Sequence, residues 1–246
     1  MSQSRDNLFS KPHAMLVDFA FDEQVARVFP DMIRRSVPGY ETVIALLGVF
    51  AQRYVQAQSQ VYDLGCSLGA ATLAIRHHIQ QPDCRIIAVD NAQAMVSQCR
   101  QHIESDQAAT PVEVILGDIT EMVIENASLV VINFTLQFIP TEQRLVLLEK
   151  IYQGLNSGGA LVITDKIMAE QDSTQSLYED LHMTFKKLNG YSDLEISQKR
   201  SALENVLVPD SLATHQQRLK QVGFKQVETW FQCFNFAGVC AVKASS

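Results

Sequence analysis

The stretch Asp63-Leu64-Gly65-Cys66-Ser67-Leu68-Gly69 closes an apolar run, VYDL, and opens a helical one, AATLAI. Its pattern, D-x-G-x-x-x-G, suits a turn that holds a nucleotide-bearing ligand. Gly65 permits a tight turn and close approach of a ligand to the backbone. Gly69 lets the following helix pack near the strand and present unpaired N–H groups. Ser67 stands where such turns usually carry a middle glycine, and its hydroxyl can hydrogen-bond the polar end of a ligand. Asp63 separates two ligand classes. A carboxylate is repulsive beside a pyrophosphate but favourable beside a sulfonium and an α-amino group. A strand-end Asp also caps its own turn, so both roles stay open for Asp63. Asp90 ends the next apolar run, RIIAVD, about 25 residues after Gly65, where a carboxylate can accept both hydroxyls of a ribose. Gly117-Asp118-Ile119 ends a third run, VEVIL, placed to reach an adenine amino group and to pack against its ring.

These residues share one site only if the runs are parallel strands. The pattern predicts that. VYDL, RIIAVD, VEVIL and LVVINF alternate with AATLAIRHHI, AQAMVSQCRQHI and TEQRLVLLEKIYQGL. SGG then leads into a further strand, ALVITD. Such alternation gives an α/β fold with a mostly parallel sheet covered by helices on both faces. Ligands then bind beyond the carboxyl ends of the strands. Residues up to about Phe21 read as a tail. Val25, Val28, Phe29, Met32 and Ile33 mark a helical face that Pro30 is expected to break or kink. Val43, Leu47, Phe50 and Tyr54 mark a second helix. Together these form an N-terminal helical arm of about residues 1–58. Residues 171–207 read as helices only and suggest a helical cap insertion. QVETWFQCFNF and VCAVKA read as an antiparallel hairpin at the sheet edge. The expected organisation is one domain, 1–246.

Composition narrows the classes. The chain of 246 residues has a formal net charge of −7, which argues against gripping nucleic acid through its phosphates. No apolar run approaches the roughly 20 residues of a membrane span. The start, MSQSRDNLFSKPHAM, lacks the charged and apolar regions of a signal peptide. The five cysteines, Cys66, Cys84, Cys99, Cys233 and Cys240, show no metal-binding spacing. The expectation is a cytoplasmic protein with free thiols, no metal and no membrane contact.

The set DLGCSLG, IIAVDN, LGDI, INFTLQF and LNSGG, in this order and spacing, resembles the class I S-adenosylmethionine-dependent methyltransferases. Their Rossmann-like fold implies a seven-stranded, mostly parallel sheet with an antiparallel edge hairpin. A longer set, VARVFPDMIRRSVPGY, DLGCSLGAAT, NFTLQFIP, SQKRSALENVL and WFQCFNF, resembles the carboxy-S-adenosylmethionine synthase family from about Phe21 to Lys243. The resemblance implies that S-adenosylmethionine and prephenate become carboxy-S-adenosylmethionine and phenylpyruvate. It also implies a homodimer, with the product passed to a separate tRNA carboxymethyltransferase acting on wobble uridine. The family's ligand-contacting positions fall on Tyr40, Gly65, Cys66, Ser67, Asp90, Asn91, Asp118, Ile119 and Asn133, and its carboxylate-binding arginine on Arg200.

Those residue types suit the implied chemistry. Proton loss from a sulfonium methyl gives an ylide, which must be kept from water long enough to meet carbon dioxide. The 171–207 insertion is the candidate lid. A guanidinium matches the new carboxylate with bidentate donors. By pattern alone Arg200 is a solvated helix-face charge. Arg34 and Arg35 have either a surface role or one toward an anionic substrate. His77 and His78 read as solvated, and His182 and His215 as structural or near the site. Trp230, Phe234 and Phe236 read as core or dimer interface. Two other readings compete: an ordinary methyltransferase on a small molecule or RNA, and a non-catalytic binding protein. Asn133-Phe134-Thr135 carries no NPPY-like pattern, and Gly65 and Asp90 are both present.

Overall fold

The computed structural model describes residues 5–11, 19–203 and 206–245. Residues 12–18 of the expected tail, and Glu204 and Asn205 of the cap motif, lie outside the described residues.

The strands are β1 (Gln60–Leu64), β2 (Arg85–Asp90), β3 (Val112–Leu116), β4 (Ala127–Asn133), β5 (Leu155–Met168), β6 (Asp210–Ser211), β7 (Gln226–Cys233) and β8 (Phe236–Val242). The main sheet runs β3-β2-β1-β4-β5-β8-β7. β1 to β5 are mutually parallel, and β8 pairs antiparallel with β5 and β7. These are the seven strands expected from the sequence. The eighth, β6, is a two-residue strand beside the end of β5, with Ile167 opposite Asp210. β1 and β4 are buried almost throughout because helices cover both faces. Tyr62, Val130 and Ile132 point to one face, under α5 (Thr141–Gly154) and α8 (Leu212–Gln221). Val61, Leu129 and Val131 point to the other, under α2 (Tyr40–Tyr54) and α3 (Ala70–Arg76).

The chain builds outward from β1 in one direction through β2 and β3, then returns to β4 on β1's other side. The first loop leaves β1 toward one side of this reversal, and the loop after β4 leaves toward the other. A crevice must therefore open between them at the carboxyl ends. α4 (Gln93–Ser105) packs beside β2 and β3.

Two helical readings need correction. α1 (Glu23–Ser36) runs through Pro30 without a break; Asp22 caps it, its Oδ1 accepting from the N–H groups of Gln24 and Val25, both at 2.9 Å. One missing N–H is offset by burial of Val25, Ala26, Val28 and Met32 on a single face. α3 stops at Arg76, before the two histidines. His77 meets Asp106 at 2.8 Å, whereas His78 is half-buried and donates to the Ala74 carbonyl at 2.7 Å rather than to water. The insertion forms α6 (Asp172–Leu188) and α7 (Asp193–Leu203).

A buried cation fastens the chain where it leaves the cap. Arg144, on α5, is 1% exposed. It pairs with Asp210 of β6 at 2.6 Å and donates to the carbonyls of Ile139 and Val208, both at 2.8 Å. Arg218 holds the same Asp210 at 2.7 Å. Arg144→Met should therefore cost about 3 kcal/mol of folding stability, at the low end for a broken buried pair because Arg218 remains. Urea unfolding monitored by circular dichroism checks this; an unchanged midpoint would show that Asp210 needs only Arg218.

Candidate active site

A cavity of about 420 Å³ opens at the reversal point. Its floor is the first loop. Gly65 (φ +89°), Ser67 (φ +49°) and Gly69 (φ +86°) all have left-handed backbone. A Cβ on Gly65 would lie 2.1 Å from the Thr135 hydroxyl, so the loops after β1 and β4 approach too closely for any side chain there. Ser67 tolerates its conformation because the Asp90 carboxylate accepts its N–H at 2.9 Å. The Ser67 hydroxyl turns toward the Met95 sulfur, at 3.5 Å.

Asp90 is the pivot. Its second oxygen accepts the N–H of Ala92 at 2.9 Å, so backbone on both sides fixes the carboxylate. Burial raises its pKa, and the N–H donors of Ala92, Ser67 and Asn91 oppose that rise. Asp118 is fixed similarly, one oxygen accepting the Thr120 N–H and hydroxyl at 2.8 Å. The buried Asn133 amide oxygen at the end of β4 has no hydrogen-bond partner among the described residues. Tyr40 begins α2 beside Phe134, ring centroids 6.0 Å apart. Burial, then the nearby Asp63 charge, pushes its pKa up to about 12, so it remains a neutral phenol. Cys66 also lines the cavity. The neighbouring Cys99 and burial raise its thiol pKa, which keeps it protonated, and all five cysteines are free.

The structure thus brings together Tyr40, Gly65, Cys66, Ser67, Asp90, Asn91, Asp118, Ile119 and Asn133 on one cavity wall. Asp63 and Arg200 are not part of that wall. Asp63 is fully buried beneath the turn, where it accepts the Thr72 hydroxyl at 2.5 Å from the first turn of α3. Its other oxygen has no partner among the described residues, so it acts on the cavity through its charge. Arg200 lies outside the cavity on α7, its side chain 68% exposed and paired with Glu179 at 3.2 Å. Arg35 is neither a surface residue nor a cavity one. It is buried over the Tyr191 ring at 3.9 Å and bonded to Asp31 and the Asn189 carbonyl. Arg34 does reach the cavity, paired with Glu41 at 3.0 Å.

Sequence reasoning missed the opposite wall. Lys166 from β5, Lys186 from α6 and Lys199 from α7 line it, with His182. The signal was the run of cations in FKK and QKR, which reads as solvated helix surface. His182 donates through Nε2 to the Ser36 carbonyl at 2.8 Å, which leaves Nδ1 as an acceptor. Burial, then Lys186, pushes its pKa down to about 3, so it is neutral. His215 lies outside the cavity, buried, its pKa pushed down to about 4 by burial. Phe236 packs on His182, centroids 5.1 Å apart, whereas Trp230 packs on Phe50 and covers Gly238.

A methyltransferase-domain family model matches residues 61–159, which hold the first loop, Asp90, Asp118 and Asn133. Among solved structures the fold is similar to the methyltransferase SibL in its apo form. That match has TM-score 0.64 and 17% identity, over 90% of this chain and 58% of that one. Human N-acetylserotonin methyltransferase in complex with SAM matches with TM-score 0.59 and 17% identity, over 91% and 56%. Those likenesses show a class I methyltransferase fold and no more. The carboxy-S-adenosyl-L-methionine synthase of Klebsiella pneumoniae subsp. pneumoniae is 59% identical over 240 residues, covering 98% of this chain and 97% of that protein. That of Salmonella paratyphi C is 58% identical over the same shares. The chain belongs to the carboxy-S-adenosyl-L-methionine synthase family. Membership extends to the arm and cap of this synthase fold, which the domain model leaves out. Among the described residues no cluster of metal-ligating side chains occurs, and no helix is long and apolar enough to cross a membrane.

Asp63 gives the site a measurable pH signature. Burial, partly opposed by the Thr72 hydrogen bond, raises its pKa from 3.8 to about 6. Between those values the folded state binds more protons than the unfolded one, so stability falls as pH rises through this window. Asp63→Asn removes that term. The stability difference should shift in the variant's favour as pH goes from 4 to 7, by up to about 3 kcal/mol. Urea midpoints across that range check it; parallel profiles would show that Asp63 is charged throughout.

Proposed function

We propose that this protein converts S-adenosylmethionine and prephenate into carboxy-S-adenosylmethionine and phenylpyruvate, as one methyltransferase-like domain, 1–246. The observation that carries this reading is the 59% identity over 98% of the chain, cap included, to a synthase of that product. The cavity fits the first substrate. Asp90 faces the ribose, Asp118 and Ile119 the adenine, and Tyr40, Ser67 and Asn133 the methionine end. Asp63 lies under the sulfonium end of that placement, with one oxygen uncompensated.

The atoms balance without a further reagent. Prephenate gives up a carboxylate as carbon dioxide and its ring hydroxyl as water. The proton in that water comes from the sulfonium methyl, whose carbon takes up the carbon dioxide. No methyl group moves. The site must then exclude bulk water, which would return the proton to the methyl carbon. Residues of α1 and the cap line the cavity, and Phe21, just before α1, meets Phe138, after β4, in edge contact at 5.5 Å.

Arg200 takes the transferred carboxylate in this reading, from a second copy of the chain. Its exposure supports that: it projects from the cap outside its own cavity. Leu177 (54% exposed), Leu188 (84%) and Leu194 (41%) lie on the same two cap helices, an apolar surface suited to a homodimer. The product then goes to a separate tRNA carboxymethyltransferase acting on wobble uridine. The acidic chain leaves tRNA binding to that enzyme.

Four measurements test this. With S-adenosylmethionine and prephenate, mass spectrometry should show a sulfonium product heavier by one carbon dioxide, absent without prephenate. Transfer of a methyl group to any acceptor instead would return the chain to ordinary methyltransferases. Asp90→Ala should lose about 1.5–3 kcal/mol of S-adenosylmethionine affinity by calorimetry, the worth of a hydrogen bond to a charged group. Arg200→Ala should keep that affinity and lose carboxy-S-adenosylmethionine affinity, with Arg200→Lys recovering part. A mixture of Asp90→Ala and Arg200→Ala chains should regain activity, up to roughly a quarter of wild type, because half the dimers then hold one intact site. No recovery on mixing would place Arg200 in its own subunit's site.

A further inference from the structure

The cavity has two chemically different ends, and the Asp90 loop occupies one. The other carries a cationic wall. Lys166, Lys186 and Lys199 come from β5, α6 and α7, three consecutive elements whose packing turns one lysine from each into the cavity. The Lys186 ammonium makes no ion pair or hydrogen bond among the described residues. Lys199 is 7% exposed and donates to the Ser36 hydroxyl at 2.9 Å. Its nearest carboxylate, Asp6, is 3.9 Å away and is already bonded to Tyr191. Three ammonium groups facing one apolar cavity are costly without an anion. The fold nonetheless fixes Lys199 through Ser36, whose carbonyl also holds His182.

We propose that Lys166, Lys186 and Lys199 form the co-substrate's anion subsite, and that they hold the carboxylate prephenate keeps rather than the one it loses. This deepens the proposed function and rests on it. The chemistry makes the assignment. A departing carboxylate carries its electron pair into the ring and leaves as neutral carbon dioxide. Cations upon it would stabilise the ground state more than the transition state and slow the reaction. The retained α-keto carboxylate keeps its charge throughout, so cations there bind without opposing the step. Phe21, Phe29 and Phe138 line the same cavity, Phe21 in edge contact with the other two, an apolar surface for the six-membered ring and the reacting carboxylate.

The cluster's charge links binding to pH. Burial lowers the pKa of Lys186 to about 7, reinforced by Lys199, Lys166 and Arg200. Burial lowers that of Lys199 to about 8, with Asp6 and Asp31 opposing and Arg35 reinforcing. Burial and Arg200 lower Lys166, with Glu179 opposing. His182, between these groups, stays neutral. An anion seated among them favours their protonated forms. Prephenate binding at pH 8 should therefore take up protons, and its affinity should fall as pH rises above about 7.

The test uses the full chain saturated with S-adenosylhomocysteine, which has no methyl to react. Prephenate is titrated by calorimetry in two buffers of different ionisation enthalpy. Wild type should bind with proton uptake. Lys186→Gln and Lys166→Gln, both at partly exposed positions, should each lose about tenfold or more in prephenate affinity and take up fewer protons. S-adenosylmethionine affinity should stay within about twofold, and Lys186→Arg should recover part of the loss. Unchanged prephenate affinity in both glutamine variants overturns the subsite. Equal loss of both ligands also overturns it, because the lysines would then serve the shared pocket. Proton-linked prephenate binding in a protein that makes no carboxylated product would sink the synthase reading and leave the subsite standing.

Discussion

The close approach of Gly65 to Thr135 is the constraint on which the site depends. With no Cβ, the first loop passes under the loop that follows β4, and the two edges of the crevice are locked together. From there the order is forced. Ser67 adopts a left-handed backbone, the Asp90 carboxylate takes its N–H, and that carboxylate is held with its free lone pairs toward the cavity. One side chain therefore joins β1 to β2, stabilises a strained turn and presents an acceptor to a ligand. The left-handed conformation of Phe134, next to Thr135, completes the pinch from the β4 side.

The two walls of the cavity obey opposite electrostatic rules. On the sheet side Asp63 and Asp90 lie in a region that disfavours their charge, which suits a cationic sulfonium and an ammonium group. On the cap side the lysines lie in a region that disfavours theirs, which suits an anion. A ligand pair of opposite charge relieves both at once. That arrangement suits a cationic and an anionic ligand held side by side, with little need for flexible, solvated contacts. Arg144 and Arg218 stabilise the chain as it leaves the cap, so the cationic wall is held from behind by a buried ion pair rather than by loops.

The cap also explains how a methyltransferase fold departs from methyl transfer. The loop after β4, Asn133-Phe134-Thr135, holds no acid or base, and its Asn133 oxygen is unpartnered. Chemistry on an acceptor atom has no residue there to serve it. The cap contributes charge and cover instead, and it carries exposed leucines on the same two helices as Arg200.

The sequence by itself determined the sheet and one wall of the site. Strand periodicity, the glycine spacing and the acidic residues at strand ends are local signals, and parallel pairing carries them to one edge. Tyr40 and Asn133 were legible through family resemblance alone. Tertiary structure decided the rest. Asp63 and Thr72 are nine residues apart, yet only the packing of α3 on β1 shows that the carboxylate is captured beneath the turn. Pro30 reads as a breaker, but burial of one helix face outweighs a missing hydrogen bond. Arg35 reads as a charge facing either solvent or an anionic substrate, and is buried over Tyr191, 156 positions on. Lys166, Lys186 and Lys199 each look like an ordinary solvated cation. Their role comes from non-local burial: only the fold shows which charges face one another in a cavity and which face water.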